Sequence, residues 1–364
     1  MTPELLAVLV SAVSAWLVCA LMLPVVRRHA TRTVITSAVA PDRAGRTPVP
    51  LLGGVAVMAG AVVGIALALR LLAPGVPELL HAWQWITVCL CLSCVGLIDD
   101  VAPLRVLPRL AVELVLAVLL VLVIAPPAIT GVGPVDLALT VTAFILLVNS
   151  VNIMDNSDLA LTLPMIAIMA TATLCLLAGA HVVSAIVAAA TAGTLCAFVP
   201  WNAPPARLYL GDAGSLPVGA VLAGLSLVLL SEPPTATGSI ATSSGLASLL
   251  VVAGLLLVPV IDTTVVAGSR IAHGRSVAAG GVDHVSHRLV RAFAGTGHGP
   301  ARAAIVLASI ASAAGMTSVA LAWSLISPLT AASVLTTLGV GAVAWSWSQP
   351  HDASPVAVPE LATS

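Results

Sequence analysis

Two neighbouring carboxylates, Asp99 and Asp100, close the segment Gly-Leu-Ile-Asp99-Asp100 at the end of an apolar run. Because adjacent carboxylates repel each other, such a pair suits a divalent cation or a shared proton. The simpler alternative is a solvated helix end whose charges pair with Arg105 and Arg109. The pair by itself leaves both interpretations open.

A second set of oxygen-bearing side chains recurs at every third position, at Asn149, Asn152, Asp155 and Asp158. Residues three apart lie on roughly the same face of a helix, so these side chains share one face if the helix continues to Asp158. Hard-oxygen side chains gathered at the end of an apolar helix are rarely neutral packing residues. The spacing therefore predicts a binding or catalytic surface.

The third motif places Asp212 among small residues, in the segment Tyr209-Leu-Gly-Asp212-Ala-Gly-Ser215. Backbone N–H groups at the start of a helix can approach an anion there. For this motif taken alone, an N-cap role for Asp212 is the simpler interpretation.

A fourth motif, Asp283-His284-Val-Ser-His287-Arg288, carries two imidazoles and a guanidinium. These groups donate hydrogen bonds and can neutralise phosphate charge. A histidine pair three residues apart is also compatible with zinc, but no thiolate is near it. We therefore favour a phosphate-binding role.

The composition predicts that a membrane surrounds these motifs. Hydrophobic residues make up 59% of the 364 residues and charged residues 8%, with a mean hydropathy of +1.12. Soluble domains carry about 25% charged residues. Apolar runs of about 20 residues predict an all-α polytopic membrane protein with about 11 transmembrane helices. The runs cover about 5–26, 49–72, 83–98, 108–125, 137–154, 160–179, 182–200, 214–231, 245–267, 301–323 and 327–347.

Charge placement predicts the orientation. If the loops alternate between two sides, every arginine except Arg70 falls on one side, which is then cytoplasmic. The N-terminus would lie outside and the C-terminus in the cytoplasm. We expect one transmembrane catalytic domain over 1–347 and a short disordered cytoplasmic tail over 348–364. The net charge of −1 gives no indication of a nucleic-acid partner, and none is expected.

Eight of the acidic residues fall on or near the same predicted cytoplasmic side, although cytoplasmic loops are expected to be rich in positive charge. They are Asp42, Asp99, Asp100, Asp155, Asp158, Asp212, Asp262 and Asp283. Together, the four motifs combine metal-binding oxygens with phosphate-binding cations. This combination is typical of Mg²⁺-dependent phosphoryl transfer, and the membrane setting predicts a lipid substrate.

The order and spacing of the motifs resemble those of the polyprenyl-phosphate N-acetylhexosamine-1-phosphate transferases. This glycosyltransferase family 4 group includes the bacterial undecaprenyl-phosphate GlcNAc-1-phosphate transferase and is related to the phospho-MurNAc-pentapeptide translocase. The resemblance runs from about Pro41 to Arg291 and includes the Gly53-Gly54 pair and the segment Val-Pro259-Val-Ile-Asp262-Thr. The His-x-x-His-Arg form resembles the GlcNAc branch.

The resemblance implies a reaction and its components. A UDP-N-acetylhexosamine, most simply UDP-GlcNAc, would donate sugar-1-phosphate to undecaprenyl or decaprenyl phosphate and release UMP. The reaction would need Mg²⁺, or Mn²⁺ in its place, and would begin a cell-envelope glycan at the bacterial inner membrane. The family also makes a homodimer plausible.

The resemblance also implies roles for individual residues. Asp212 would ligate the metal, with Asn152 as a second ligand. The catalytic residues would be Asp99 and Asp100 near the lipid phosphate, Asp155 and Asp158 binding the nucleotide or ordering the site, and His287. The substrate-binding residues would be Asn149, Tyr209 stacked on uracil, His284, Arg288 and Arg43.

Some positions depart from the family's pattern. Asn156 and Leu159 stand where glycine is usual or frequent, and Leu51 stands where a basic residue is frequent. In the first predicted cytoplasmic loop Arg43 and Arg46 remain, but the usual histidine is absent. Two alternatives are a secondary transporter and a catalytically degenerate family member that acts as a partner subunit. A transporter would place its carboxylates near the membrane midplane, often within inverted repeats, and no repeat is apparent here.

Overall fold

The computed structural model describes residues 1–33, 49–73, 75–124, 127, 129–231, 245–277, 281–295 and 297–349. Within these ranges the chain forms twelve α-helices and no strand longer than an isolated bridge. The helices are α1 (Pro3–Thr33), α2 (Gly53–Leu72), α3 (Val76–Val101), α4 (Val106–Ile124), α5 (Gly133–Met154), α6 (Thr162–Ala178), α7 (Val182–Asn202), α8 (Asp212–Ser231), α9 (Gly245–Ala272), α10 (Val285–Ala292), α11 (Gly299–Ala322) and α12 (Pro328–Ser348).

The predicted all-α membrane architecture is confirmed. Each predicted apolar run corresponds to one helix, and α10 is an additional short helix inside the loop that carries the histidine motif. In the part of the chain that the structure describes, nine helices are long and apolar enough to cross a membrane, and α6 is a shorter apolar helix. The predicted tail lies outside the described residues from 350 onward.

Helix α8 forms the centre of the bundle. Its residues from Ala213 to Leu227 are buried on every side, and it packs against α3, α5 and α2. A helix that is apolar all round can be buried in lipid or in protein, and here neighbouring helices cover it. Its first residue, Asp212, is therefore carried to the middle of the bundle, level with the ends of α3 and α5.

Glycines permit this close approach. A Cβ atom at Gly96 of α3 would lie 2.2 Å from the carbonyl group of Asp212, and one at Gly54 would lie 2.2 Å from the backbone nitrogen of Gly214. The backbone N–H groups of Gly53 and Gly54 donate to the carbonyl oxygens of Tyr209 and Leu210, at 2.9 and 2.8 Å. The Gly-Gly pair thus joins the start of α2 to the segment that leads into α8.

Candidate functional site

A cleft of about 530 Å³ opens where α3 and α5 end and α8 begins. Five of the predicted site residues line it, together with Leu51, Ser157 and Gly211. These five are Asp100, Asn152, Asp155, Tyr209 and Asp212. Three motifs that are far apart in the sequence therefore meet around one cavity.

Arg109 of α4 is the central cation beside this cleft. Its Nη1 lies 2.9 Å from Asp99 Oδ2 and 3.0 Å from Asp212 Oδ2. Its Nη2 donates to Asn149 Oδ1 at 3.0 Å, and its Nε lies 3.2 Å from Glu113 Oε1. A planar guanidinium can make these contacts at once, whereas the point charge of a lysine cannot. Arg109 therefore holds several carboxylates together that would otherwise repel one another.

Asp100 has a different role from its neighbour Asp99. Its carboxylate oxygens accept hydrogen bonds from the backbone N–H groups of Asp212 and Ala213, at 2.9 and 3.1 Å. Asp100 thus caps α8 from another helix and satisfies donors that a helix start leaves unpaired. Gly211 has a φ of +71°, and a Cβ atom there would lie 2.5 Å from Asp100 Oδ2, so this position requires glycine.

Asn152 orients Asp212 from the opposite side. Its Nδ2 donates to Asp212 Oδ1 and to Ser215 Oγ, both at 2.9 Å. Asn149, one helical turn away, accepts from Arg109 and donates to Glu113 Oε2 at 2.6 Å. Asn152 therefore lies at the cleft, whereas Asn149, from the same motif, belongs to the hydrogen-bond network around Arg109.

The oxygen donors of the cleft suit a hard divalent cation. Among the described residues, no three Asp, Glu, His or Cys side chains gather closely enough to hold a metal by themselves. Mg²⁺ does not need such a cage, because it usually takes one or two carboxylates and completes its shell with water and substrate phosphates. Asp212 fits this pattern, since its side chain is 29% exposed and each of its oxygens retains a lone pair.

Asp158 and Leu159 order the turn that follows α5. Asp158 is buried and accepts from the backbone N–H of Ala206 at 3.1 Å, which ties this turn to the segment leading to Tyr209. Leu159 has a φ of +63°, the left-handed region in which glycine is favoured. Its N–H donates to Asn202 Oδ1 at 2.9 Å. Asp158 was predicted either to bind the nucleotide or to order the site, and these contacts support the second role.

The histidine motif is anchored inside the protein at its beginning. His284 is 5% exposed, and its Nδ1 lies 2.8 Å from Oδ2 of Asp262 on α9. The other oxygen of Asp262 accepts the backbone N–H of Val285 at 2.8 Å, so Asp262 caps α10. The ring of His287, which is half-buried, meets the His284 ring edge-on with 5.5 Å between centroids.

Arg288 is 1% exposed and connects α10 to α12. Its Nε donates to the carbonyl oxygen of Asp283 at 3.1 Å, and its Nη1 donates to that of Ser346 at 2.7 Å. The Asp283 side chain in turn binds Arg275 and Arg270. None of the three site residues predicted in this motif, His284, His287 and Arg288, lines the cleft. Arg43 lies outside the described residues.

Three residues of these regions were not predicted as site residues from the sequence: Arg109, Glu113 and Asp262. Arg109 was predicted only as a partner of the Asp99-Asp100 pair, and Asp99 is indeed one of its contacts. The available signal was the position of Arg109 and Glu113, four residues apart within an apolar run. Ionisable residues in such runs mark functional positions and normally have partners.

Comparisons with known proteins confirm the resemblance. Residues 82–230, from α3 to α8, match the family model described as glycosyl transferase family 4. The chain is 28% identical over 276 residues to decaprenyl-phosphate N-acetylglucosaminephosphotransferase of Mycobacterium leprae, covering 67% of each protein. It is 32% identical over 290 residues to a putative glycosyltransferase of Streptomyces coelicolor, covering 78% of this chain and 64% of the relative.

A third relative is the probable undecaprenyl-phosphate N-acetylglucosaminyl 1-phosphate transferase of Bacillus subtilis, 25% identical over 297 residues, 79% of this chain and 78% of the relative. The chain is thus a multi-pass membrane protein whose residues 82–230 are similar to glycosyl transferase family 4. Two of these three relatives are named as polyprenyl-phosphate N-acetylglucosamine phosphotransferases.

Proposed function

We propose that this protein transfers N-acetylhexosamine-1-phosphate from a UDP-sugar to undecaprenyl or decaprenyl phosphate at the cytoplasmic leaflet, with UDP-GlcNAc as the favoured donor. The observation that carries the proposal is the meeting of Asp100, Asn152, Asp155 and Asp212 around one cleft at the ends of apolar helices. A diphosphate needs such polar surroundings, and a prenyl chain needs the adjoining membrane. The product would begin a cell-envelope glycan at the bacterial inner membrane.

The proposed step exchanges one phosphoanhydride bond for another. An oxygen of the lipid phosphate attacks the phosphorus that carries the sugar, and the bond from this phosphorus to the bridging oxygen breaks. UMP leaves with that oxygen. No strong base is required, because a phosphate monoester has already lost most of its second proton at pH 7, its second pKa being about 6. The carboxylate oxygens of Asp100 are engaged with the start of α8, so Asp100 is proposed to position Asp212 and not to act as a nucleophile.

Asp212 and Asn152 are the residues proposed to hold Mg²⁺ or Mn²⁺. The ion would supply positive charge that offsets the charge developing on the diphosphate. Arg109 holds the Asp212 side chain in place through a contact at 3.0 Å, and Asp100 fixes the backbone from which Asp212 projects. Tyr209 lines the same cleft and is proposed to stack on the uracil ring.

The test is a donor screen with purified protein, undecaprenyl phosphate, Mg²⁺ and a panel of UDP-sugars, with UMP as the measured product. We expect UMP release from a UDP-N-acetylhexosamine, its loss on chelation of the metal, and at least about a 100-fold loss in Asp212→Ala. The matched control is Glu4→Ala, an acid at the start of α1 outside the cleft.

Three outcomes would contradict the proposal. Activity of Asp212→Ala near that of the wild type would remove Asp212 from the metal site. Binding of UDP-sugars without turnover of any of them would indicate a degenerate partner subunit. Uptake of a solute into proteoliposomes without UMP release would indicate a transporter.

A further inference from the structure

Helix α10 is too short to be stable by its own hydrogen bonds. It has eight residues, Val285–Ala292, whereas isolated helices shorter than about 12–15 residues are marginal in water. Its position therefore depends on contacts with the rest of the protein. Asp262 caps its first turn from α9, and Arg288 ties it to Ser346 of α12. These contacts fix α10 to the helices behind it.

Another contact joins α10 to the wall of the cleft. Asn156 lies between Asp155 and Ser157, which both line the cleft. The Ser286 hydroxyl donates to Asn156 Oδ1 at 2.5 Å, and Asn156 Nδ2 donates to the carbonyl oxygen of Ile153 at 2.9 Å. The Asn156 side chain is thus held by the end of α5 on one side and by α10 on the other.

This hydrogen bond is sheltered from water, because Ser286 is 2% exposed. A buried hydroxyl that loses its partner is left without a hydrogen bond. Separating α10 from the Asp155–Ser157 segment therefore costs free energy. Ser286 is also followed directly by His287, the residue of the histidine motif whose side chain is half-buried. Movement of the Asp155–Ser157 wall would therefore be coupled to movement of His287.

We propose that Asn156 and Ser286 form a bridge that fixes the spacing between the cleft wall at Asp155–Ser157 and His287, and thereby preorganises the site for the diphosphate of a nucleotide sugar. In this role Asn156 is a positioning residue, acting through its neighbours. The inference rests on the proposed function. A preorganised site binds its ligand more tightly because less ordering accompanies binding. Without the bridge, the donor itself would have to bring the two segments together.

The test compares alanine variants with a variant that retains the hydrogen bond. Asn156→Ala, Ser286→Ala and the double variant remove the bridge, whereas Ser286→Thr keeps the hydroxyl. Ser309→Ala, at an exposed serine of α11, is the matched control. UMP release gives KM for the UDP-sugar and kcat, and hydrogen exchange reports on the backbone of residues 285–292.

We expect each alanine variant to raise KM by about 3- to 10-fold, the effect of one hydrogen bond, with kcat within about twofold of the wild type. The double variant should be no worse than either single variant, because both remove the same interaction. Ser286→Thr should keep KM at the wild-type value. Amide exchange across α10 should be faster in both alanine variants and unchanged in the control.

Additive effects of the two alanine substitutions, or unchanged exchange across α10, would overturn the bridge. If the alanine variants have a lower melting temperature but an unchanged KM, the bridge has only a structural role, and the positioning role is overturned. Failure of the proposed function is distinguishable, because the wild type would then release no UMP from any donor. In that case the exchange measurement alone still decides whether the bridge exists.

Discussion

Two polar regions meet the same end of the helical bundle but use their charged residues differently. In the acidic cluster, formed by Asp99, Asp100, Asn152, Asp212 and Arg109, the side chains face one another beside an open cleft. In the histidine loop, Asp283–Ala292, most ionisable side chains are turned into the protein. Motifs that look equally chemical in a sequence can therefore line an open cleft in one place and hold the fold together in another.

The helices explain the difference. Asp212 begins α8, the most buried helix, so packing on all sides brings it among the ends of α3, α4 and α5. Helix α10 has only eight residues and little apolar surface, so polar contacts to α9 and α12 must hold it. The comparison predicts that substitutions in the cluster reduce chemistry or break a charge network, whereas substitutions of the buried His284 and Arg288 in the loop mainly reduce stability.

Removal of Arg109 should have the largest effect on stability. In Arg109→Ala, Asp99, Glu113 and Asp212 lose their shared cation, and breaking a buried ion pair costs about 3–5 kcal/mol. We expect thermal unfolding of the detergent-solubilised protein to show a loss of this size. Arg109→Lys should recover only part of it, because an ammonium lacks the planar fork.

The control for this prediction is Arg302→Ala, at an exposed arginine of α11, which should change the free energy of unfolding by less than about 0.5 kcal/mol. Equal stability of Arg109→Ala and Arg302→Ala would show that the acidic cluster does not depend on Arg109.

Arg288→Ala tests the structural interpretation of the histidine loop. The substitution removes the donor from the carbonyl oxygens of Asp283 and Ser346, so we expect a loss of about 2–4 kcal/mol in unfolding free energy. The kcat of the protein that remains folded should stay close to wild type. An unchanged melting temperature with a tenfold loss of kcat would instead assign Arg288 to the substrate and erase the contrast between the two regions.

The left-handed backbone at Leu159 predicts an unusual order of stability. Leu159→Gly should be more stable than Leu159→Ala by about 1 kcal/mol, because alanine is strained at a φ of +63° and glycine is not. At Leu161, which is equally buried but has a φ of −87°, the alanine variant should be the more stable one. Melting temperatures of the four variants test this, and the same order at both positions would contradict it.

Asp283 should contribute a small stabilisation that does not vary near neutral pH. Burial opposes its ionisation, but the hydrogen bond and charge of Arg275, joined by Arg270, outweigh burial and hold the pKa of Asp283 below its usual value. A lowered pKa gives stability that is present above the unfolded value of about 3.9 and is lost as the pH falls through the folded value.

The measurement for Asp283 is the melting temperature of the wild type and of Asp283→Asn from pH 5 to pH 8. We expect a constant difference, with the wild type slightly more stable. A difference that closes between pH 8 and pH 6 would show that another group, such as a histidine, controls this loop.

The sequence predicted the helices well because each apolar run is long enough to specify a helix without reference to its neighbours. The local spacing also indicated Asn152 and Asp155 as site residues, and both line the cleft, but it indicated Asn149 and Asp158 equally, and neither of these lines the cleft. The different roles of Asp99 and Asp100 could not be predicted, because they depend on Arg109 and on the start of α8, more than 100 residues away.

The histidine loop shows the same limit. The burial of Arg288 depends on Ser346, 58 residues further along the chain. The left-handed conformation of Leu159 could not be predicted from the sequence, because leucine does not favour it, whereas a glycine at this position would have indicated it. Local pattern therefore predicts helices and candidate ligands, while tertiary contacts decide which polar residues face the cleft.

The most direct test of the central claim measures the lipid-linked sugar diphosphate formed from a radiolabelled UDP-N-acetylhexosamine by Asp155→Asn, Asp212→Asn and Arg288→Lys, at equal amounts of folded protein. If the cleft is the catalytic centre, both aspartate variants lose at least about 100-fold in product formation while the loop variant retains activity. Product formation by Asp155→Asn and Asp212→Asn at the wild-type rate would contradict the assignment of the cleft.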